Sequence, residues 1–212
     1  MAALPEHPRT ILCLGAHSDD IEIGCGGTLL RLLDAWPKAE VHWHVLSAPG
    51  PREREARRSA AAWLRGARKS HVGILQFRES YFPDQWADIK DGVEQIRGSC
   101  EPDLIFTHRR DDLHQDHRVV CDLTWNAFRS HTILEYEIPK YDGDLGQPNL
   151  YVALDERVCR RKVKALMRHF QTQKARHWFT EDTFFALLRL RGIECGGRTR
   201  FAEAFHARKL VI

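Results

Sequence analysis

Apolar residues along this chain of 212 residues fall in short blocks separated by longer segments of helical spacing. Ile11 to Leu14 is a continuous apolar run, the mark of a strand buried on both faces. Thr28 to Ala35 carries Leu29, Leu30, Leu32 and Leu33 as a helical stripe that stops before Pro37. Glu40 to Ala48 alternates as a strand, with Val41, Trp43 and Val45 on one face and His42 and His44 on the other. The Pro49-Gly50-Pro51 turn leads into a helix over Arg52 to Leu64. A third strand over His71 to Phe77 precedes a helix over Trp86 to Cys100, in which Ile89, Val93 and Ile96 keep helical spacing.

The same alternation continues through a strand ending at His108, a helix over Arg118 to Phe128 and a strand over Ile133 to Ile138. A short strand over Leu150 to Leu154 follows, then helices over Glu156 to Thr172 and Thr183 to Arg191. Strands alternating with helices over short loops predict an α/β fold, a Rossmann-like, mostly parallel sheet with helices on both faces. No repeat, low-complexity segment or linker interrupts it, so the reading is a single domain over residues 1–212. The Gly/Asp/Pro-rich stretch Asp142 to Pro148 reads as a mobile loop and a candidate lid.

Composition removes several function classes. The hydrophobic share of 43% and charged share of 29% suit one globular unit. A net charge of +3, spread over mixed runs such as Arg52-Glu53-Arg54-Glu55, gives no footprint for nucleic acid. No apolar run has the length of a membrane span, and Met1 to Thr10 lacks the apolar core of a signal peptide. Six cysteines stand without a Cys-x-x-Cys pair and read as reduced thiols, which points to a cytoplasmic location. No Gly-x-Gly-x-x-Gly follows any strand, which argues against a nicotinamide cofactor.

The chemistry concentrates at two strand ends. The first strand delivers His17, Asp19, Asp20 and Glu22, and the strand ending at His108 delivers Asp111, Asp112, His114, Asp116 and His117. Ligands of open α/β sheets bind at such carboxyl ends. His17, Asp20 and His117 together make a three-ligand set with a fourth position open to water, the pattern of a catalytic zinc. Asp19 lies beside it, where a general base for water is needed. The alternative for the first loop is a turn or N-cap cluster that only shapes the strand-to-helix connection. His42 and His44 sit in mid-strand, away from that edge, and read as sheet histidines rather than ligands.

Ala16-His17-Ser18-Asp19-Asp20-Ile21-Glu22 and His114-Gln115-Asp116-His117 resemble the two motifs of the PIG-L/LmbE-like zinc deacetylases, Ala/Pro-His-Pro-Asp-Asp-x-Glu and His-x-Asp-His. Ser18 departs from the usual proline. The resemblance implies Zn²⁺ on His17, Asp20 and His117, with Asp19 as general base. It implies that His114, as an imidazolium oriented by Asp116, stabilises the oxyanion. Arg52 at a helix start and Asp84 in the loop after the third strand would contact substrate. Lys162, Gln171-Thr172-Gln173 and Phe201-Ala202-Glu203-Ala204-Phe205 match later family segments. The implied activity is hydrolytic removal of acetyl from an N-acetylated sugar of the N-acetylglucosamine type. The partner is then this small molecule, with no nucleic acid and no membrane span, and a homo-oligomer is compatible with the pattern. The contrasting reading is a metal-binding scaffold without catalysis.

Overall fold

The computed structural model describes residues 8–209. Seven strands form one sheet: β1 (Thr10–Gly15), β2 (Glu40–Val45), β3 (Lys69–Ile74), β4 (Leu104–His108), β5 (Thr132–Tyr136), β6 (Leu150–Leu154) and β7 (Phe201–His206). Their order is β3-β2-β1-β4-β5-β7-β6. The first five are parallel, and β7 runs antiparallel between β5 and β6. The helices are α1 (Asp20–Ala35), α2 (Pro51–Trp63), α3 (Trp86–Ser99), α4 (Gln115–Ala127), α5 (Glu156–His169) and α6 (Glu181–Cys195). None of the described helices is long and apolar enough to cross a membrane.

Strand alternation divides the core in two. Ile11 and Cys13 join the larger cluster with α1, α2, α5 and α6, whereas Leu12 and Leu14 join the cluster with α3 and α4. The mostly parallel sheet with helices on both faces is thus present. The chain winds outward from β1 to β3 and returns to β4 on the other side of β1, which opens a crevice between the carboxyl ends of β1 and β4.

Several elements differ from expectation. α1 begins at Asp20 rather than Thr28 and takes the glycine run into its interior. Glycine costs about 1 kcal/mol against alanine inside a helix, yet here contact demands it. A Cβ on Gly24 would stand 2.2 Å from the Tyr136 ring, and one on Gly27 2.6 Å from Leu154. Phe201–His206, a motif without an assigned element, is strand β7. Finally, Asp142 to Pro148 is not a free lid. Lys140 and the Leu113 N–H both donate to Asp144, Arg109 donates to the Asp144 carbonyl, and the Gly146 N–H donates to Glu137.

A buried ion pair ties the late segments to α1. Lys162 Nζ donates to the Ile23 carbonyl and to Glu203 Oε1, both at 2.6 Å. Glu203 in turn accepts from the Gly27 and Thr28 N–H groups at 2.8 and 2.6 Å. The absent glycine side chain at position 27 is what lets this carboxylate reach the helix backbone.

Candidate active site

β1 ends at Gly15, and one short turn carries His17, Ser18 and Asp19 into α1. Asp20 closes that turn by accepting from the His17 N–H at 2.6 Å. On the neighbouring strand end, His114 caps α4, its Nδ1 accepting from the Asp116 N–H at 3.2 Å. The cap places Asp116 and His117 in the first turn of α4, earlier than the expected start at Arg118. The two strand ends thereby set His17, Asp20 and His117 against one another.

Three atoms converge: His17 Nδ1, Asp20 Oδ2 and His117 Nε2. Their separations are 3.3 Å for His17 to Asp20, 3.2 Å for His17 to His117 and 3.6 Å for His117 to Asp20. Tetrahedral ligands about 2.0–2.1 Å from one ion lie about 3.3–3.4 Å apart, so the donor set fits a small divalent cation. The charges agree. Burial works against protonation of His17, but the Asp20 and Asp116 carboxylates outweigh it and push its pKa up to about 10. Burial lowers His117 to about 3, with the neighbouring His108 acting in the same direction, so it offers a neutral imidazole. Burial opposes ionisation of Asp20, yet His117, His108 and His17 hold it well below the usual carboxylate range. The place is built for positive charge.

A second layer of carboxylates orients the imidazoles. Asp116 Oδ2 meets His17 Nε2 at 3.0 Å while accepting from the Ser80 and Phe82 N–H groups through its two oxygens. It therefore serves His17 and not His114, contrary to the sequence reading. Asp112 does the same for His117, with Oδ2 3.0 Å from Nδ1. Its other oxygen takes the His114 N–H at 2.8 Å and Lys140 at 3.1 Å. His108, fully buried, stacks on His117 with ring centroids 3.9 Å apart and places Nε2 3.1 Å from Asp20. Sequence reasoning gave neither Asp112 nor His108 a role; their placement at the same strand end was the available signal.

The imidazolium expected at His114 is also corrected. Nδ1 accepts a backbone N–H, so it is the unprotonated nitrogen and Nε2 carries the hydrogen. Burial and the nearby His17 charge lower its pKa, which keeps the ring neutral.

A cleft of about 160 Å³ opens over this cluster, lined among others by Asp19, Arg52, Glu79, His114, Tyr141 and Trp178. Arg52 reaches the cleft from the start of α2. It donates to Glu79 at 2.6 Å and to the Ser18 hydroxyl at 3.0 Å, and lies 3.5 Å from Asp19 Oδ1. Ser18, where the motif usually has proline, thus supplies an acceptor that proline lacks. Burial, reinforced by Asp20, pushes the Asp19 carboxyl up to about 6, with Arg52 pulling the other way. Asp84 is exposed on a short 3-10 turn and does not line the cleft. The carboxylate that this loop contributes is Glu79. Glu22 is turned into the core, where burial pushes it well above the ordinary range, and it too is absent from the cleft wall.

Comparison with known proteins identifies relatives in sequence and in fold. An uncharacterised deacetylase of Escherichia coli K12, YaiS, is 29% identical over 171 residues, covering 76% of this chain and 90% of the relative. The N,N'-diacetylchitobiose deacetylase of Pyrococcus horikoshii superposes with a TM-score of 0.71 at 20% identity, covering 96% of this chain and 86% of that one. The 4-carboxy-2-hydroxymuconate hydratase of Pseudomonas putida KT2440 shares the fold equally well, with a TM-score of 0.72, 14% identity and coverage of 96% and 98%. At such identities the structural matches speak for the fold alone. The sequence match is more specific: the model of the GlcNAc-PI de-N-acetylase family, PIG-L, aligns with residues 12–128, over half the chain and both strand-end loops. The chain therefore belongs to the PIG-L de-N-acetylase family.

Proposed function

We propose that the protein is a zinc-dependent hydrolase that removes the acetyl group from an N-acetylated sugar, of the N-acetylglucosamine type. One observation carries the reading: the 3.2–3.6 Å triangle of His17, Asp20 and His117 atoms lies in a cleft that also holds Asp19 and His114. His17, Asp20 and His117 would hold the ion, and Asp116 and Asp112 would fix the two rings. A bound Zn²⁺ supplies Lewis acidity toward the amide carbonyl and acidifies water.

The chain's own residues account for the proton movements. Asp19 takes the proton of the attacking water and returns it to the nitrogen of the leaving amine, which is a poor leaving group until protonated. A carboxyl with a pKa near 6 can both accept and return a proton around neutrality. Arg52 limits that rise and keeps the carboxylate form available. His114 donates Nε2–H to the oxygen that becomes negative when the carbonyl is attacked, a task a neutral imidazole performs. Trp178 and Tyr141 offer apolar surface and Gln173 and Arg176 offer polar groups on the cleft wall, a mixture suited to a sugar ring.

The test is hydrolysis of a panel of N-acetylhexosamine derivatives by zinc-loaded protein, with free amine and acetate measured together. Equal release of both from at least one sugar is expected. Metal-loaded protein that releases neither from any acetylated sugar would favour the scaffold reading and overturn this one.

A further inference from the structure

The opposite end of the sheet carries a second cluster of ligand-type side chains. Glu40 opens β2, His42 follows on the same strand face two residues on, and His71 on β3 pairs directly with His42 in the parallel register. The Glu40 Oε1 atom lies 3.3 Å from His42 Nε2 and 2.8 Å from His71 Nε2. One ligand atom from each residue lies within 4.8 Å of the other two. The two imidazoles stack with centroids 4.4 Å apart, and His44 extends the row with its ring 6.3 Å from His42. Gly73 makes room for it, since a Cβ there would stand 2.4 Å from His44 Nδ1. The sequence shows His42 and His44 only as mid-strand histidines; cross-strand pairing supplies His71, and Glu40 completes a mixed set.

We propose that Glu40, His42 and His71 form a second transition-metal site, independent of the deacetylase centre, taking a borderline divalent cation such as Zn²⁺ or Ni²⁺. Two imidazoles and a carboxylate are the donor types such ions prefer. His42 is 4% exposed, and its Nδ1 and the Nε2 of His44 are buried without a hydrogen-bond partner. Arg68 and Lys69, each 3.6 Å from Glu40, now balance the carboxylate. Their side chains are 66% and 59% exposed and are free to turn to solvent when an ion arrives.

The two sites lie at opposite ends of neighbouring strands, separated by five residue steps of β2, about 16 Å. β3 is an edge strand, so an ion bridging His71 to Glu40 and His42 would clamp that edge to the rest of the sheet.

The experiment is metal counting on protein saturated with Zn²⁺ and desalted, with melting temperature in added Zn²⁺ or Ni²⁺ as a second readout. Two equivalents per chain are expected for the wild type, and one for either His71→Ala or Glu40→Gln with deacetylation rates unchanged. His117→Ala should retain only the edge-site equivalent, so failure at one centre is distinguishable from failure at the other. The metal-induced rise in melting temperature should shrink in His71→Ala and Glu40→Gln. One equivalent in the wild type, or two retained in both edge variants, overturns the proposal.

Discussion

Asp112→Asn isolates the role of a residue outside the proposed ligand set that positions one of its members. The Asp112 carboxylate accepts from three donors at once: the His117 ring nitrogen at 3.0 Å, the His114 N–H at 2.8 Å and Lys140 at 3.1 Å. Burial opposes ionisation, but the hydrogen bond from His117 and the surrounding charges hold Asp112 well below the usual range, so it acts purely as an acceptor. Asparagine offers one acceptor oxygen and an amide that can only donate. If the oxygen faces His117, the amide confronts the His114 N–H and Lys140; if it turns, His117 loses its anchor. Loss of such a partner lowers metal affinity typically by 10–100-fold, about 1.4–2.8 kcal/mol. The assay is competition for Zn²⁺ against a chromophoric chelator, with melting of the metal-free protein alongside. Asp111→Asn is the control, because that side chain is 76% exposed one residue away, and it should bind zinc as the wild type does. Wild-type affinity in Asp112→Asn would refute the claim that this carboxylate positions His117.

Three further outcomes are expected. Asp19→Asn should keep its metal and lose about 10²–10⁴-fold in kcat on an N-acetylated sugar, since a positioned base is worth that much; near-wild-type turnover would assign the proton to another group. The wild-type kcat/KM should fall as pH drops through about 6, where Asp19 protonates. Arg52→Gln should move that limb to higher pH, because removing a cation 3.5 Å from Oδ1 favours the neutral acid; an unmoved limb would separate Asp19 from it. Lys162→Met should cost about 3–5 kcal/mol by leaving the buried Glu203 carboxylate without its counter-ion, lowering the melting temperature by roughly 6–20 °C. A change within 2 °C or so, well below that scale, would show that the pair is dispensable.

What the sequence made legible was what periodicity and spacing encode. Ile11 to Leu14 reads as a buried strand and Glu101 to His108 as a strand-like segment, and the loops after them carry His17, Asp20 and His117. Less legible was anything that depended on contact between distant elements. The glycines after Glu22 looked like a loop because glycine disfavours helices, whereas Tyr136 and Leu154 press so close on α1 that nothing larger fits at positions 24 and 27. The family resemblance assigns Asp116 to His114, but its place in the first turn of α4 turns the carboxylate across to His17, 99 residues away in the chain. Asp84 looked like the acid of its loop, yet the 3-10 turn leaves it in solvent and Glu79 meets Arg52 instead.

The shared architecture of a deacetylase and a hydratase gives the proton path its importance. Both reactions add the elements of water, so both can use the same general base. They differ in where the proton ends: on nitrogen when an amide is split, on carbon when a double bond is hydrated. Delivery to nitrogen needs an acid near neutral strength facing an oxyanion donor across one reacting carbon. Asp19 and His114 line the same cleft over the converging His17, Asp20 and His117 atoms, an arrangement the proposed amide cleavage can use. A hydratase would also need a group to manage the carbon-bound proton and an acceptor for enolate charge away from the attacked carbon. Beside Arg52 and Glu79, the polar wall takes Lys140, Asp142, Gln173 and Arg176 from the segments after β5 and α5. Part of the cleft wall thus comes from later segments, beyond the region matched by the family model. Exchanging Gln173 or Arg176 should accordingly alter KM among acetylated sugars more than kcat, whereas changes at Asp19 or His114 should act on kcat.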